Sequence, residues 1–128
     1  MEVIHEAPQK TTFQRPWGTA DAIPLESNPG TFDMCVESVT PGGMLSRHTH
    51  PVETEHEVVL SGDGWLLLED GQRIRISGGV IEGDQGPEGS IWEPGDVHGY
   101  EADQDGEGLR ILTLTSPPWQ EGHEVPVE

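Results

Sequence analysis

The sequence predicts an all-β sandwich or barrel built as a single domain, and three observations carry that expectation. The chain holds 17 glycines and 11 prolines in 128 residues, 28 breakers in all and well above the average share of about 12%. The longest stretches free of both are 31–40 and 52–61, so long helices are excluded by backbone entropy and missing donors. Between the breakers sit short segments rich in β-branched and apolar residues, and the joints between them carry turn chemistry.

Taken in order, the first strand is "TFDMCVESVT" at 31–40. Its apolar set Phe32, Met34 and Val36 marks the inward face and leaves Cys35 outside with Asp33 and Glu37. "TPGG" at 40–43 turns the chain into "MLSRHTH", which Pro51 ends, and "PVET" sends it back into "EHEVVLS". After "SGDG" at 61–64 comes "WLLLED", whose apolar run reads as a strand covered on both faces. "EDGQ" at 69–72 leads to "RIRIS", which alternates strictly as a half-buried strand should. "SIWE", the turn "EPGD" at 93–96 and "LRILTLTS" complete the series. The barrel core spans about 31–116. Residues 1–30 form an N-terminal arm and 117–128 a C-terminal tail, whose outer parts wrap the barrel or fray. No internal repeat is visible.

Composition limits the functions open to such a domain. Six basic residues stand against 24 acidic ones, a net charge of −18. That surface repels DNA, RNA and anionic lipid, which excludes nucleic-acid and membrane-surface roles. No apolar run approaches the roughly 20 residues of a membrane span, and the N-terminus has no signal-peptide pattern. Cys35 is the only cysteine, which rules out an internal disulfide and fits a reducing cytoplasm. The acidity itself matches a halophile's protein, because self-repulsion is screened when the Debye length shrinks to about 3 Å in molar salt.

The stretch "HTHPVETEHEVVLSG", residues 48 to 62, concentrates the chemistry. His48 and His50 are two apart, so on a strand their imidazoles project from one face. Glu55 opens the returning strand of the hairpin, where a carboxylate comes within reach of an ion shared with those histidines. His98 in "WEPGDVHGY" follows a Pro-Gly turn and is the best candidate for a fourth ligand. A slip of one residue in the hairpin substitutes His56 for Glu55 as ligand, since register decides faces. In the preferred register His56 points outward as a surface or subunit-contact residue. Glu57 then lies on the ligand side, one step deeper, as a base beside the metal or as an acceptor for a ligand histidine.

The spacing Gly42, five residues, His48-Thr-His50, four residues, Glu55, six residues, Gly62 resembles the first signature motif of the cupin family. "HTHPVETE" is similar to the corresponding stretch of germins. "EPGDVH" resembles the second cupin motif, with two departures: Glu93 stands where a proline is usual, and Ala102 where an asparagine is usual. The resemblance covers residues from about 31 to 116. It implies a jelly-roll barrel, a double-stranded β-helix, holding one divalent transition metal on His48, His50, Glu55 and His98. Mn, Fe, Ni, Co, Cu and Zn all tolerate three imidazoles and a carboxylate. An octahedral ion so held keeps room for exogenous molecules. The resemblance also implies a homodimer, for which the apolar "WLLL" segment is the candidate surface.

"RPWG" at 15–18 with "EHEVVLSG" at 55–62 resembles the cupin-type phosphomannose isomerases more distantly. Pro16 and Trp17 also serve simply to staple the arm onto the barrel. Five arginines and one lysine are too few for a phosphosugar site, so a sugar or another small neutral polar molecule fits better. Cys35, with no adjoining His or Lys to lower its pKa, reads as an inert thiol. Two functions follow: a metal-dependent enzyme of dioxygenase or isomerase type on a small polar metabolite, and a metal-bearing binding or sensing module without turnover.

Overall fold

The computed structural model describes residues 11–23, 32–83, 89–119 and 122–127. In chain order the strands are β1 (Thr11–Arg15), β2 (Gly18–Ile23), β3 (Asp33–Val39), β4 (Met44–Thr49), β5 (Thr54–Gly62), β6 (Gly64–Leu68), β7 (Arg73–Ser77), β8 (Val80–Ile81), β9 (Ser90–Trp92), β10 (His98–Ala102), β11 (Leu109–Ser116) and β12 (Val125–Pro126). Among the described residues the one helical turn is a 3-10 turn at Glu69–Gly71. The strands form two six-stranded sheets, ordered β1-β2-β3-β11-β5-β9 and β12-β4-β10-β6-β7-β8, with every pairing antiparallel. This is the expected all-β jelly roll.

The same strands build two different interiors along their length. At one end Val39, Leu45, Leu66, Ile76, Tyr100, Ala102, Leu109 and Ile111 pack into a buried apolar core. At the other end the inward positions turn polar: Glu55 and Glu57 on β5, His98 on β10, Thr113 and Thr115 on β11 are all buried. A β-bulge makes this division possible on β4. The register shifts between the pairs Tyr100↔Leu45 and His98↔His48, so Leu45 and His48, three apart, both face inward. A second shift, between Arg110↔Ser61 and Ile111↔Val59, leaves Leu60 exposed.

Two expectations need correction. The N-terminal arm contains a hairpin: β1 pairs with β2, and β2 pairs along β3, extending the first sheet. Trp17, at the turn, packs against the core, and its carbonyl accepts the Thr40 amide at 2.9 Å. Residues 1–10 and 24–30 of that arm lie outside the described residues. The inward face of β3 is also the reverse of the one read from sequence. Cys35 and Glu37 line the interior with Val39, while Phe32 lies on an outer groove with His56 and Leu114. The apolar-means-inside rule fails here because this end of the barrel surrounds a cavity into which polar side chains project. The "WLLL" strand is covered, as its apolar run implied. Leu66 and Leu67 are buried, and Trp65 lies under the guanidinium groups of Arg73 and Arg75, 4.3 and 5.2 Å from its ring centre. Arg75 is held there by a two-pronged bond to Asp103 at 2.7 and 2.8 Å.

Candidate metal centre

Four strand positions bring the cluster together. β4 supplies His48, with His50 just past its end, β5 supplies Glu55 and β10 supplies His98. One donor atom from each lies within 4.8 Å of every other, and all four residues are buried. The three imidazoles pack ring to ring, with centres 4.4 to 5.7 Å apart. His48 Nδ1 donates to the Ser46 carbonyl at 2.8 Å, which leaves its Nε2 lone pair for another partner. His50 Nε2 lies against Glu55 Oε1, which nevertheless accepts no hydrogen bond, and His98 Nε2 has no hydrogen-bond partner. Buried polar atoms are rarely left so. Converging buried donor atoms that lack hydrogen-bond partners are what a cation satisfies, so this donor set fits a divalent transition metal.

Burial depresses the His48 pKa. Burial also pushes His50 and His98 down, but neighbouring carboxylates, Glu55 for the first and Glu57 with Glu55 for the second, more than offset it and leave both raised. Burial pushes Glu55 up, and the imidazoles of His50 and His98 overcome that, holding it well below the usual carboxylate range. The carboxylate is therefore anionic and ready for a cation.

His56 is placed on the opposite side of β5, exposed, in the outer groove with Phe32 and Thr54. Glu57 is buried behind His98, its Oε1 accepting from Trp92 Nε1 at 2.6 Å and from Tyr100 Oη at 2.8 Å. His98 Nε2 stands 3.7 Å from the same oxygen, and the Trp92 indole stacks on the His98 ring at 4.7 Å with an angle of 2°. Burial raises the Glu57 pKa to about 7.

The cluster opens on a cavity of about 380 Å³ reached by His48, His50 and Glu55, but not by Glu57. Cys35, Glu37, Thr113 and Thr115 form its polar wall, and Phe13, Trp17 and Trp119 its aromatic one. Arg15 is the only arginine or lysine among the described residues lining it. Glu37 is partly open to this space, yet burial among protein atoms, then the charges of Glu57 and Glu55, raise its pKa well above the ordinary value. Sequence reasoning missed Glu37 because the face of β3 was inverted. It missed Glu53, buried beside the cluster, because that residue fell in an expected solvent-facing turn. The parity of 53, 55 and 57 was the available signal.

No family model matches the chain, and no curated protein matches its sequence. Solved structures do share its fold. The nucleoside dehydratase Pac13 of Streptomyces aligns at 14% identity over 100% of this chain and 92% of that one, with a TM-score of 0.67. A protein with a double-stranded β-helix domain from Klebsiella pneumoniae aligns at 19% identity over 99% of this chain and 90% of that one, with a TM-score of 0.62. An RmlC-like cupin protein from Desulfovibrio desulfuricans aligns at 18% identity over 78% of this chain and 82% of that one, with a TM-score of 0.59. The chain thus has the cupin fold, and its buried His-His-Glu-His cluster fits a metal-binding cupin.

Proposed function

We propose that the protein is a mononuclear metal-dependent enzyme acting on a small neutral polar molecule, by dioxygenase- or isomerase-type chemistry. The observation that carries this reading is the convergence of His48, His50, Glu55 and His98, within 4.8 Å, at the edge of a cavity of about 380 Å³. When bound, a divalent ion supplies Lewis-acid polarisation of a substrate oxygen, and a redox-active one supplies electron transfer as well. The chain's own residues do the rest. The Ser46 carbonyl and the Trp92 ring fix the planes of His48 and His98. Phe13, Trp17 and Trp119 offer apolar faces to a ring or carbon skeleton. Thr113 and Thr115 offer hydroxyl partners. Glu37 is the carboxyl that faces the cavity, and burial, then the charges of Glu57 and Glu55, raise its pKa and favour the protonated form from which a general acid donates. Glu57, turned away from the cavity, acts through His98 instead.

The carboxyl-rich wall with one arginine disfavours phosphorylated and other anionic substrates. Neutral polyhydroxylated molecules, among which nucleosides are those handled by the fold neighbour Pac13, suit it better. A binding or sensing module without turnover uses the same centre and cavity, and Glu37 separates the two. Metal-loaded protein is offered neutral sugars, polyols and nucleosides, with product mass, oxygen uptake and calorimetric binding followed together. An enzyme converts at least one of them, and Glu37→Gln loses conversion while keeping binding. Binding without conversion in the unaltered protein, under air, contradicts the enzymatic reading.

A further inference from the structure

Glu53 lies between β4 and β5, is 1% exposed, and is among the largest fully buried side chains of the protein. A carboxylate in that position needs donors on both oxygens. Oε1 accepts from His123 Nδ1, a residue 70 positions later in the chain. Oε2 has no hydrogen-bond partner, and His50 Nδ1, likewise without one, stands 3.8 Å from it. The two orphans are complementary, and their separation is about 0.9 Å beyond an ordinary N–H···O distance of about 2.9 Å.

His50 faces the cluster with Nε2. When Nε2 is a metal ligand, the remaining ring proton sits on Nδ1 and requires an acceptor, which fixes the ring and raises its basicity. His48 already has such an acceptor in the Ser46 carbonyl; for His50 the carboxylate of Glu53 takes that place. The C-terminal segment holds the arrangement from outside. β12 pairs with β4 through Val125↔Thr49 and Pro126↔His48, and the Val127 amide donates to the Arg47 carbonyl at 2.9 Å. That pairing brings His123 onto Glu53 and Glu124 to 3.8 Å from His48 Nδ1, at the cavity wall.

We propose that Glu53 is a positioning residue of the metal centre, accepting the Nδ1 proton of His50, and that His123 on the C-terminal segment is a second positioning residue that aims Glu53. The inference rests on the metal centre proposed above and extends it to residues that touch no ion. The test is a Co(II) titration of the full chain, stripped of metal beforehand, in the unaltered protein, in Glu53→Gln and in His123→Ala. Affinity, the visible absorption bands of the bound ion and the melting curve of each metal-free protein are recorded. Glu53→Gln should weaken Co(II) by about 10–100-fold and shift the bands, because the ligand field of His50 changes. His123→Ala should weaken it by roughly fivefold, the worth of one ordinary hydrogen bond, and shift the bands in the same direction.

If the unaltered protein takes up no Co(II), the metal-centre reading itself falls. If it binds Co(II) and both variants match it in affinity and spectrum, the metal centre stands and this proposal is overturned. Weaker binding with unchanged bands marks general loosening of the fold and also overturns it. Should Glu53→Gln fail to fold, His123→Ala decides alone. An effect of Glu53→Gln without any effect of His123→Ala removes the C-terminal segment from the proposal.

Discussion

Replacing Glu57 with glutamine is expected to stabilise the metal-free protein, and to do so more strongly as pH rises. Burial lifts the Glu57 carboxyl from its ordinary 4.5 to about 7, so the folded protein keeps a proton that the unfolded chain releases. The sign follows directly: the contribution of this group to stability is fully present below about pH 4.5 and is lost as pH rises through 7. At about 1.36 kcal/mol per unit, the cost of the buried group is roughly 1 kcal/mol at pH 5 and about 3 kcal/mol at pH 8. Glutamine mimics the protonated acid. Its amide oxygen retains the bonds from Trp92 and Tyr100. Urea unfolding of both proteins at pH 5 and pH 8, with chelator present, reads the difference. The gain of Glu57→Gln should grow by about 2 kcal/mol between the two. Glu55, whose depressed value works in the opposite direction, is common to both proteins and largely cancels. An equal gain at both pH values, or a loss at pH 8, refutes the reasoning.

Cys35, on the cavity wall, has its thiol pushed up to about 12 by burial and then by the charges of Glu37 and Asp21. Alkylation of the native protein at pH 8 should therefore be at least roughly a thousandfold slower than in urea, from the thiolate fraction alone; comparable rates would show an open, activated thiol. Gly62 has φ +106, and a Cβ there would stand 1.9 Å from the Gly108 carbonyl oxygen. Gly62→Ala should cost about 3 kcal/mol or more in unfolding free energy, and a change below about 1 kcal/mol would mean that this turn relaxes freely.

The fold class was legible because its signals are local. Breakers at short intervals bound the strands, and turn residues mark the joints. The spacing from Gly42 to Gly62 singled out His48, His50 and Glu55, which the structure does bring together with His98. What escaped reading depended on tertiary placement. The sequence of β1 and β2, "TTFQR" and "GTADAI", has little apolar periodicity, and their pairing with β3 is visible only in three dimensions. The bulge that turns both Leu45 and His48 inward breaks the alternation on which facing was inferred. Cys35 and Glu37 were put outside because a cavity reverses the usual link between polarity and exposure. His123 gave no local sign of its bond to Glu53, since β12 carries it across from the far end of the chain.

The central claim, a metal ion on His48, His50, Glu55 and His98, is tested most directly by metal content per chain after dialysis against a mild chelator. The unaltered protein and the alanine variants of these four residues and of His56 are compared, with folding of each verified by circular dichroism. The unaltered protein should retain close to one ion per chain. The four ligand variants should each lose occupancy at least as steeply as the 10–100-fold typical of removing a residue that merely supports a ligand. His56→Ala, altered on the exposed face of β5, should retain its ion. If His56→Ala empties the site while Glu55→Ala does not, or if none of the five variants changes metal content, the account is contradicted.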